Sequence, residues 1–436
     1  MTATTRIRPP QPAQIKGSTA YTLRINRAQF WRRCRAASSP SLACTIWACV
    51  AFAACAGAKD WPNFRGPDHT GISSETDWKA EWPDGKANVV WSAKVNTGFS
   101  SISVAGGRVF TMGNQGGKDT VFALDAKTGK EIWRHQYDCP LEPNLYEGGP
   151  NATPTVDGDR VYTLSKKGHL FCFQAADGKI VWQTNLNADH GAAVPEWGFA
   201  GSPLVLGEKL VLNAGSAGMA LDKATGNVLW QSGKGQSGYA TPVPFTRDGR
   251  TLVAIFGLKH LFAVDTADGT QLWSVEWHTS YDVNAADPIV SGDLVFVSSA
   301  YNKGCGVWRM GGDAPQPVWE SRKMRNHMNS TVLHDGFLYG FDENTLRCLE
   351  FATGNEKWSQ RGLGKGSLIM AGGRLVALSE KGELVVAPAS PDGFAPTARA
   401  RVLTGKCWTQ PAFADGRIYA RNAAGVLVCV DAGAKP

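Results

Sequence analysis

A unit of about 45 residues recurs along the chain, and this internal repeat constrains the fold more than any other feature of the sequence. Each unit predicts a strand, a glycine-centred turn, a second strand, a third strand that ends in Asp, a Thr-Gly turn and a fourth strand that carries Trp. The glycine-centred turns number eight and lie at residues 105–108, 157–160, 206–209, 248–250, 291–293, 334–336, 371–374 and 414–417. Four strands per unit at this spacing are typical of β-propeller blades.

The two ends of the repeat region complement each other. The last unit, residues 408–431, has three strands and no Trp strand, whereas residues 89–95 form a lone Trp strand with no unit before it. Pairing them completes an eighth blade and leaves no free sheet edge between the first blade and the last. We therefore predict an all-β fold, an eight-bladed β-propeller of four-stranded antiparallel blades, closed by pairing of its N- and C-terminal strands. The predicted boundaries are 1–58 for a basic leader, 59–87 for a lead-in segment and 88–436 for the propeller.

The tryptophans of the repeat are predicted to be structural, packed flat between adjacent blades where they bury a large apolar area. They are Trp91, Trp133, Trp182, Trp230, Trp273, Trp319 and Trp358, and the seventh unit lacks its Trp. Small residues recur at one position of the third strands, namely Ala123, Cys172, Ala220, Ala263, Cys348 and Cys429. Because equivalent positions in different blades lie far apart, the cysteines of this set should be reduced. Cys139 and Cys407 fall in loops on one face and could pair, so the disulfide state of Cys139, Cys305 and Cys407 stays open.

The positive charge of the chain, formally +7, is concentrated in its first 58 residues. These contain eight Lys and Arg residues and no Asp or Glu, so the remaining chain is close to neutral and offers no basic surface for nucleic acid. Arg32, Arg33 and Arg35 precede a short apolar run that is typical of a signal peptide, with a cleavage pattern just before Lys59. Cys55 offers an alternative, a lipidated mature N-terminus. Both alternatives predict a bacterial protein of the periplasm or outer membrane, with membrane contact only through such an anchor.

The repeat resembles that of the pyrroloquinoline-quinone-like (PQQ-like) β-propeller family, whose blades carry Leu-Asp-x-x-Thr-Gly-x-x-x-Trp. Residues 124–133 and 221–230 match this signature fully, and the similarity extends from residue 88 to residue 431. The sequence Asp-Trp-Pro-Asn-Phe-Arg-Gly-Pro at 60–67 resembles the lead-in of secreted members that have no leading catalytic domain. Length, eight units and the leader are similar to those of family members that act as lipoproteins in outer-membrane β-barrel assembly. This resemblance implies a non-catalytic protein that binds a protein partner.

The resemblance also raises the alternative of a quinone-dependent dehydrogenase. For the quinoprotein alcohol dehydrogenases of the superfamily it implies a disulfide between adjacent cysteines, a Trp floor under the quinone, and Glu, Asn and Asp around calcium. This sequence has no adjacent cysteines and no Glu-Asn-Asp set that can be assigned to calcium, so PQQ and Ca²⁺ are not supported by residues and no cofactor is expected. It also lacks a His-Glu-x-x-His zinc motif and a Gly-x-Ser-x-Gly nucleophile motif. No catalytic or metal-ligating residue is therefore assigned.

The loops from the fourth strand of one blade to the first strand of the next are rich in aromatic and polar residues. In a propeller these loops form one face around the mouth of the central channel, and such side chains are over-represented at binding surfaces. The candidate binding face consists of Tyr146, Glu147, Trp197, Tyr239, Tyr281, Asp282, Arg325, His327 and Trp408. These side chains could equally serve only to cover the channel mouth. The expected function is a monomeric, non-catalytic, extracytoplasmic scaffold for an unidentified protein partner; the alternatives are a PQQ-dependent dehydrogenase-like oxidoreductase and a polysaccharide-binding accessory protein.

Overall fold

The structure is a computed structural model, which describes residues 59–144, 146–311 and 314–433. Its strands form eight four-stranded antiparallel blades, with inner strands of neighbouring blades in contact around a ring. The predicted all-β, eight-bladed propeller is confirmed. Within these ranges the one helical element is a 3-10 turn at Pro83–Gly85, and no helix has the length and apolar character needed to cross a membrane. The predicted leader and Cys55 lie outside the described residues.

The strands follow one another blade by blade. Two strands precede the first blade, β1 (Ile72–Ser73) and β2 (Val89–Lys94). Blade 1 contains β3 (Ser103–Ala105), β4 (Arg108–Gln115), β5 (Lys118–Asp125) and β6 (Glu131–Asp138), and blade 2 contains β7 (Thr155–Asp157), β8 (Arg160–Leu164), β9 (His169–Gln174) and β10 (Ile180–Asn185). Blade 3 contains β11 (Leu204–Leu206), β12 (Lys209–Leu212), β13 (Met219–Asp222) and β14 (Val228–Gln231), and blade 4 contains β15 (Val243–Arg247), β16 (Arg250–Phe256), β17 (His260–Asp265) and β18 (Gln271–Glu276). Blade 5 contains β19 (Ile289–Ser291), β20 (Leu294–Ser299), β21 (Gly304–Arg309) and β22 (Gln316–Ser321), and blade 6 contains β23 (Val332–His334), β24 (Phe337–Asp342), β25 (Thr345–Glu350) and β26 (Glu356–Gln360). Blade 7 contains β27 (Ser367–Ala371), β28 (Arg374–Leu378), β29 (Glu383–Pro388) and β30 (Ala398–Arg401). Blade 8 contains β31 (Ala412–Ala414), β32 (Arg417–Arg421), β33 (Val426–Asp431) and β2.

The blade tryptophans lie beside a β-bulge in the outer strand of every blade except blade 7, whose outer strand has no Trp. The pairs that they form with the third strand are Trp91–Cys429, Trp133–Ala123, Trp182–Cys172, Trp230–Ala220, Trp273–Ala263, Trp319–Val307 and Trp358–Cys348. The indole reaches the Thr-Gly turn of the next blade, where a Cβ atom on Gly226 would lie 2.7 Å from the Trp182 ring. A glycine in this turn thus lets a tryptophan pack closely between two blades.

The Asp-x-x-Thr-Gly turn is held by its own side chains. In blade 1, Asp125 Oδ1 accepts hydrogen bonds from the hydroxyl and the backbone N–H of Thr128, both at 2.8 Å. Asp222 and Thr225 repeat this arrangement at the same distances in blade 3. These bonds lower the pKa of both carboxyls because they stabilise the charged form. Gly129, next to Thr128, has a φ of 69°, a left-handed conformation that glycine adopts without steric cost.

Blade 8 closes the ring with strands from both ends of the repeat region. Strand β2 pairs antiparallel with β33, and Trp91 lies opposite Cys429. The Trp91 indole N–H donates to the Ala126 carbonyl of blade 1 at 3.0 Å, so the closing strand also contacts the first blade. The predicted closure by N- and C-terminal strands is confirmed.

The lead-in segment crosses the central channel, a placement that the sequence did not predict. The Pro62 carbonyl accepts a hydrogen bond from the Val156 N–H of blade 2 at 2.7 Å, and β1 pairs in parallel with β27 of blade 7. The Glu75 carboxylate accepts a bond from the Gly416 N–H of blade 8 at 2.8 Å. We call residues 60–75 the plug, because they contact the inner strands on opposite sides of the channel.

The lead-in also supplies tryptophans near the blade whose own Trp is missing. Trp78 and Trp82 belong to the buried cluster that contains Ala398 and Ala400 of the outer strand of blade 7. The Trp78 ring lies 4.9 Å from that of Phe413 in the inner strand of blade 8. The junction between blades 7 and 8 is therefore filled by aromatic side chains from outside the repeat.

Arg65 anchors the plug inside the channel. Its side chain is 2% exposed, and Nη2 donates to the carbonyl oxygens of Thr70 and Thr331 at 2.8 and 2.9 Å. Its Nε lies 3.9 Å from Asp287 Oδ2. Because Thr331 and Asp287 precede the inner strands of blades 6 and 5, one side chain connects the plug to two blades. Burial lowers the pKa of Arg65, and the Asp287 carboxyl opposes that effect.

Protonation of His69 is expected to destabilise the plug at low pH. Burial, and after it the Arg65 guanidinium, lower the pKa of this imidazole from 6.5 to about 4. The folded state therefore favours neutral His69, a contribution that is present above pH 6.5 and is lost as the pH falls towards 4. We expect His69→Gln to reduce the acid-induced loss of unfolding free energy by about 1–3 kcal/mol, measured by urea denaturation at about pH 7 and about pH 4.5. His278→Gln, in an exposed loop, is the control; an equal change in both variants would contradict the assignment to His69.

Candidate binding site

A cavity of about 570 Å³ opens at the mouth of the central channel, on the loop face of the propeller. Its walls come from the loops that precede the inner strands of seven blades, and Phe64 of the plug contributes to its floor. The aromatic lining residues are Phe64, Phe99, Tyr146, Trp197, Tyr239, Tyr281, Tyr301 and Trp408. The polar ones are Ser101, Asn144, Asn151, Thr153, Ser202, Thr241, Asp287, His327, Asn329, Thr409 and Gln410.

Six of the nine residues of the predicted binding face line this one cavity. They are Tyr146, Trp197, Tyr239, Tyr281, His327 and Trp408. They come together because each lies in a loop that enters an inner strand, and all inner strands start around the channel mouth. Tyr239 is nearly buried and its hydroxyl accepts a hydrogen bond from the Trp197 backbone N–H at 3.4 Å, whereas Tyr281 is 64% exposed. The set thus extends from the cavity wall to the open rim.

The other three predicted residues lie outside the cavity lining and form ion pairs. Glu147 accepts a hydrogen bond from Lys406 Nζ at 2.9 Å. Asp282 lies 3.3 Å from Lys259 Nζ. Arg325 forms an ion pair with Asp342, a buried carboxylate of blade 6. Burial raises the pKa of Asp342, but the hydrogen bonds and charge of Arg325, together with a hydrogen bond from Arg347, bring it below its ordinary value. The structure therefore gives these three side chains contacts that connect loops and strands of the propeller.

One arc of aromatic rings follows the wall formed by blades 8, 1, 2 and 3. The Phe99 ring centroid lies 6.0 Å from that of Trp408 and 5.4 Å from that of Tyr146. Tyr146 in turn lies 6.1 Å from Trp197. Tilted rings at these separations pack favourably against one another. The arc is therefore a continuous apolar wall.

A second arc lies on the wall formed by blades 5 and 6. The Tyr301 ring centroid lies 5.1 Å from that of Tyr281 and 5.2 Å from that of His327. Burial lowers the pKa of His327, with Lys365 as the second cause. A neutral imidazole beside the Tyr301 ring keeps this wall largely apolar.

The floor is a chain of hydrogen bonds that runs from blade to blade. In each step a backbone N–H before one inner strand donates to the side-chain oxygen at the same place in the next blade. The steps are Ser101 to Thr153 at 3.2 Å, Thr153 to Ser202 at 2.9 Å, Ser202 to Thr241 at 3.1 Å, Thr241 to Asp287 at 2.8 Å, and Asp287 to Ser330 at 2.9 Å. The floor therefore holds neighbouring blades in a fixed relation before any ligand is bound.

Asp287 is the one carboxylate among the described lining residues, which contain no Lys or Arg. Burial raises its pKa to about 7, and the Arg65 guanidinium opposes this effect. Lysines near the rim have their own acidic neighbours: Lys406 Nζ lies 2.9 Å from Glu147, and Lys365 Nζ lies 3.4 Å from Glu343. The cavity is therefore close to neutral.

Several lining residues were missed by the sequence analysis. Phe64 belongs to the plug, and Tyr301 lies between the second and third strands of blade 5, so neither lies in a loop that connects two blades. Asp287 occupies the place of the hydroxyl residues Ser101 and Thr153 in other blades. Aligning the repeats at this position would have shown the single carboxylate.

The six cysteines of the described residues are free and buried, namely Cys139, Cys172, Cys305, Cys348, Cys407 and Cys429. Cys139 and Cys407 therefore do not form the pair that the sequence left open. Burial raises the pKa of the Cys139 and Cys407 thiols to about 12, which leaves both unreactive at neutral pH.

The known proteins that this chain is similar to include outer membrane assembly factors and quinoprotein dehydrogenases. The outer membrane protein assembly factor BamB of Yersinia pestis is 27% identical over 326 residues, 68% of this chain and 77% of that protein. A quinoprotein ethanol dehydrogenase of Pseudomonas aeruginosa is 25% identical over 224 residues, 50% of this chain and only 30% of that protein. The match to the dehydrogenase therefore spans less than a third of its length.

Solved structures show the same fold. BamB from Moraxella catarrhalis superposes with a TM-score of 0.61 at 17% identity, over 79% of this chain and 99% of that one. The quinohemoprotein alcohol dehydrogenase of Comamonas testosteroni gives 0.63 at 14% identity, over 87% and 81%. A family model described as outer membrane protein assembly factor BamB matches residues 76–144 and 117–360. The chain belongs to this family of PQQ-like β-propellers.

Proposed function

We propose that the protein is a non-catalytic, extracytoplasmic propeller that holds a protein partner on its loop face, in cell-envelope or outer-membrane protein assembly. The observation that carries the proposal is the convergence of six aromatic or imidazole side chains, predicted as a binding face, on one open cavity. Aromatic residues with a polar group are enriched where proteins bind one another. Family membership supports the assembly role, because the family model described as outer membrane protein assembly factor BamB and the BamB of Yersinia pestis each match most of the chain.

Location outside the cytoplasm is part of the same proposal. The basic and apolar leader supports export, either as a soluble protein that starts at Lys59 or as a lipoprotein anchored through Cys55. Six buried thiols without disulfides are compatible with either form, since none of them lies at the surface.

Docking on the loop face is favoured over addition of a partner strand to a blade edge. The outer strands carry exposed charged pairs, such as Glu131 and Arg134 at 2.7 Å on β6, which discourage edge-to-edge pairing. The rim of the cavity instead presents Tyr281 of the second aromatic arc, which is 64% exposed. A partner that covers this rim would bury aromatic surface with little loss of side-chain entropy.

The quinone-dependent alternative fits the cavity poorly. Pyrroloquinoline quinone is a tricarboxylate, and no Lys or Arg is found among the described residues that line the cavity. Asp287 is the one acidic residue in that lining, and across the described ranges no cluster of three or more His, Cys, Asp or Glu side chains could hold a metal ion. A bound tricarboxylate would therefore lose its hydration without gaining ion pairs. Saturable binding of the quinone with calcium, followed by absorbance, would contradict the non-catalytic proposal.

The proposal is tested by affinity capture from an extract of the source cells. We expect the variant with Trp197→Ala, Tyr281→Ala and Trp408→Ala to recover at least about tenfold less of the partner than the unmodified chain, because contact residues near an interface centre dominate affinity. The matched control replaces three exposed apolar residues of the outer strands, Ile132→Ala, Leu229→Ala and Val318→Ala. Equal recovery by both triple variants would rule out the loop face as the binding surface.

A further inference from the structure

The cavity has the shape of a small-molecule site as well as a docking surface. Its volume of about 570 Å³ lies within the range of about 300–1,000 Å³ that is typical of ligand pockets. Phe64 of the plug and the chain of hydrogen bonds before the inner strands of blades 1 to 6 form the floor, and the plug lies below it in the channel. A flat partner surface would cover the rim and leave this volume empty.

The walls offer flat apolar faces on two sides. Trp408 and Trp197 mark the ends of one aromatic arc, and Tyr281 and Tyr301 belong to the other. A pyranose ring has a face of C–H groups that packs against an indole or phenol ring, while its hydroxyls point sideways. Aromatic faces on opposing walls suit a ligand built from several such rings.

Polar groups beside these walls have unused hydrogen-bonding capacity. The Asn329 amide donates to the carbonyl oxygens of Gly366 and Trp408 at 3.1 and 3.0 Å, which fixes its orientation and leaves Oδ1 as an acceptor. The Trp197 Nε1–H and the Gln410 Oε1 are buried without a partner among the described residues. Donors and acceptors of this neutral kind match the hydroxyls of a sugar.

The charge of the residues that line the cavity further restricts which ligands could bind. Among the described lining residues no Lys or Arg is present, and the one carboxylate, Asp287, faces the Arg65 guanidinium of the plug. An anionic ligand would enter a cavity without a counter-charge and would lose hydration energy. A neutral polyhydroxylated ligand avoids that cost, because its hydroxyls can exchange water for amide and indole groups.

We propose that the cavity binds a neutral carbohydrate, a chain of two or three pyranose rings stacked on the aromatic arcs, the Trp197 ring among them, and hydrogen-bonded to Asn329 Oδ1. This site goes beyond the proposed function and does not depend on it: Trp197 serves in both, but Asn329 is assigned to the sugar alone and the partner covers the rim around Tyr281. The sugar chain would occupy the volume below that rim.

The test screens the full-length protein against an array of neutral and acidic glycans, followed by calorimetry with the neutral trisaccharides maltotriose, cellotriose, mannotriose and chitotriose. We expect saturable binding of at least one neutral glycan with a Kd between about 10 μM and about 1 mM. Trp197→Ala and Asn329→Ala should each weaken it at least about tenfold, whereas Trp197→Phe retains part of the stacking and Leu229→Ala, an outer-strand control, leaves it unchanged. Circular dichroism of each variant verifies that it is folded.

Two results would overturn the carbohydrate site. The first is the absence of binding to every neutral glycan at up to about 10 mM. The second is tighter binding of acidic glycans than of their neutral counterparts, or binding that survives Trp197→Ala and Asn329→Ala. Partner capture is measured separately. Undiminished capture by the triple variant, together with sugar binding by the unmodified chain, contradicts only the protein-partner proposal. Absence of sugar binding, together with the expected loss of capture by the triple variant, contradicts only the carbohydrate site.

Discussion

Replacing Arg421 with methionine is expected to lower the free energy of unfolding by about 3–5 kcal/mol, because the change leaves several buried acceptors without a donor. Arg421 ends β32 in blade 8, and its side chain is fully buried. Its guanidinium donates to the Met112 carbonyl at 2.7 Å, the Asn96 carbonyl at 2.9 Å and the Thr111 hydroxyl at 2.9 Å. These acceptors lie beside or within blade 1, so the side chain connects the last blade to the first.

The sign of this effect follows from comparing two opposed contributions. Burial lowers the pKa of Arg421 to about 9, which shows that the charge itself is costly in this position. Methionine removes that cost, but each acceptor left unpaired costs about 1–3 kcal/mol, and the shorter side chain leaves a cavity. With at least three acceptors affected, the loss exceeds the gain.

The free energy of unfolding of the Arg421→Met variant and of a matched control is measured by denaturation in guanidinium chloride. Arg399→Met is the control, because Arg399 is 44% exposed and pairs with Glu383 at 3.2 Å on the outer surface of blade 7. An exposed pair of this kind contributes no more than about 1 kcal/mol. If Arg421→Met costs no more than the control, the guanidinium is not needed for the closure of the ring.

The propeller itself was predictable because its information is local and repeated. Each turn such as Asp125 to Gly129 is specified by residues that contact one another within the turn, so the pattern is visible in the sequence alone. The strand that contains Trp91 has no other strands of its own blade before it, and the last unit has three strands and lacks a Trp strand. The two could therefore be assigned to the same blade. The closure of the ring could therefore be predicted from the number of strands in the first and last units, without any information on distances.

The plug was not predictable by the same reasoning. Arg65 donates to Thr331, 266 residues further along the chain, and Asp287 lies close to the same guanidinium. No periodicity relates these residues, since the plug occurs once and its partners belong to different blades. Only the position of the channel, a property of the closed ring, brings them together.

The candidate site was partly predictable, for a related reason. Aromatic residues in equivalent loops, such as Trp197 and Trp408, had to converge once the ring closed. The direction of a charged side chain in those loops is set by partners that the repeat does not specify. Glu147, for example, is held by Lys406, which lies 259 residues away. The sequence therefore predicts the aromatic set better than the charged one.

Replacing Trp91 with alanine is expected to lower the free energy of unfolding by about 3–5 kcal/mol, the usual cost of truncating a buried tryptophan. Trp91 is 8% exposed, and its indole N–H donates to the Ala126 carbonyl at 3.0 Å. Its ring packs on the turn of blade 1, where a Cβ atom on Gly129 would lie 2.6 Å away, and on Tyr419 at 6.0 Å. The truncation removes contacts with both blades at the closure.

The unfolding free energies of Trp91→Ala, Trp91→Phe and Val90→Ala, measured in guanidinium chloride, separate the contribution of ring packing from that of the indole hydrogen bond. Val90 is the adjacent residue and is 40% exposed, so its truncation should cost less than about 0.5 kcal/mol. Phenylalanine keeps an aromatic ring and loses the N–H donor, so an intermediate cost is expected. Equal stability of Trp91→Ala and Val90→Ala would mean that the ring is closed by the backbone pairing of β2 and β33 alone.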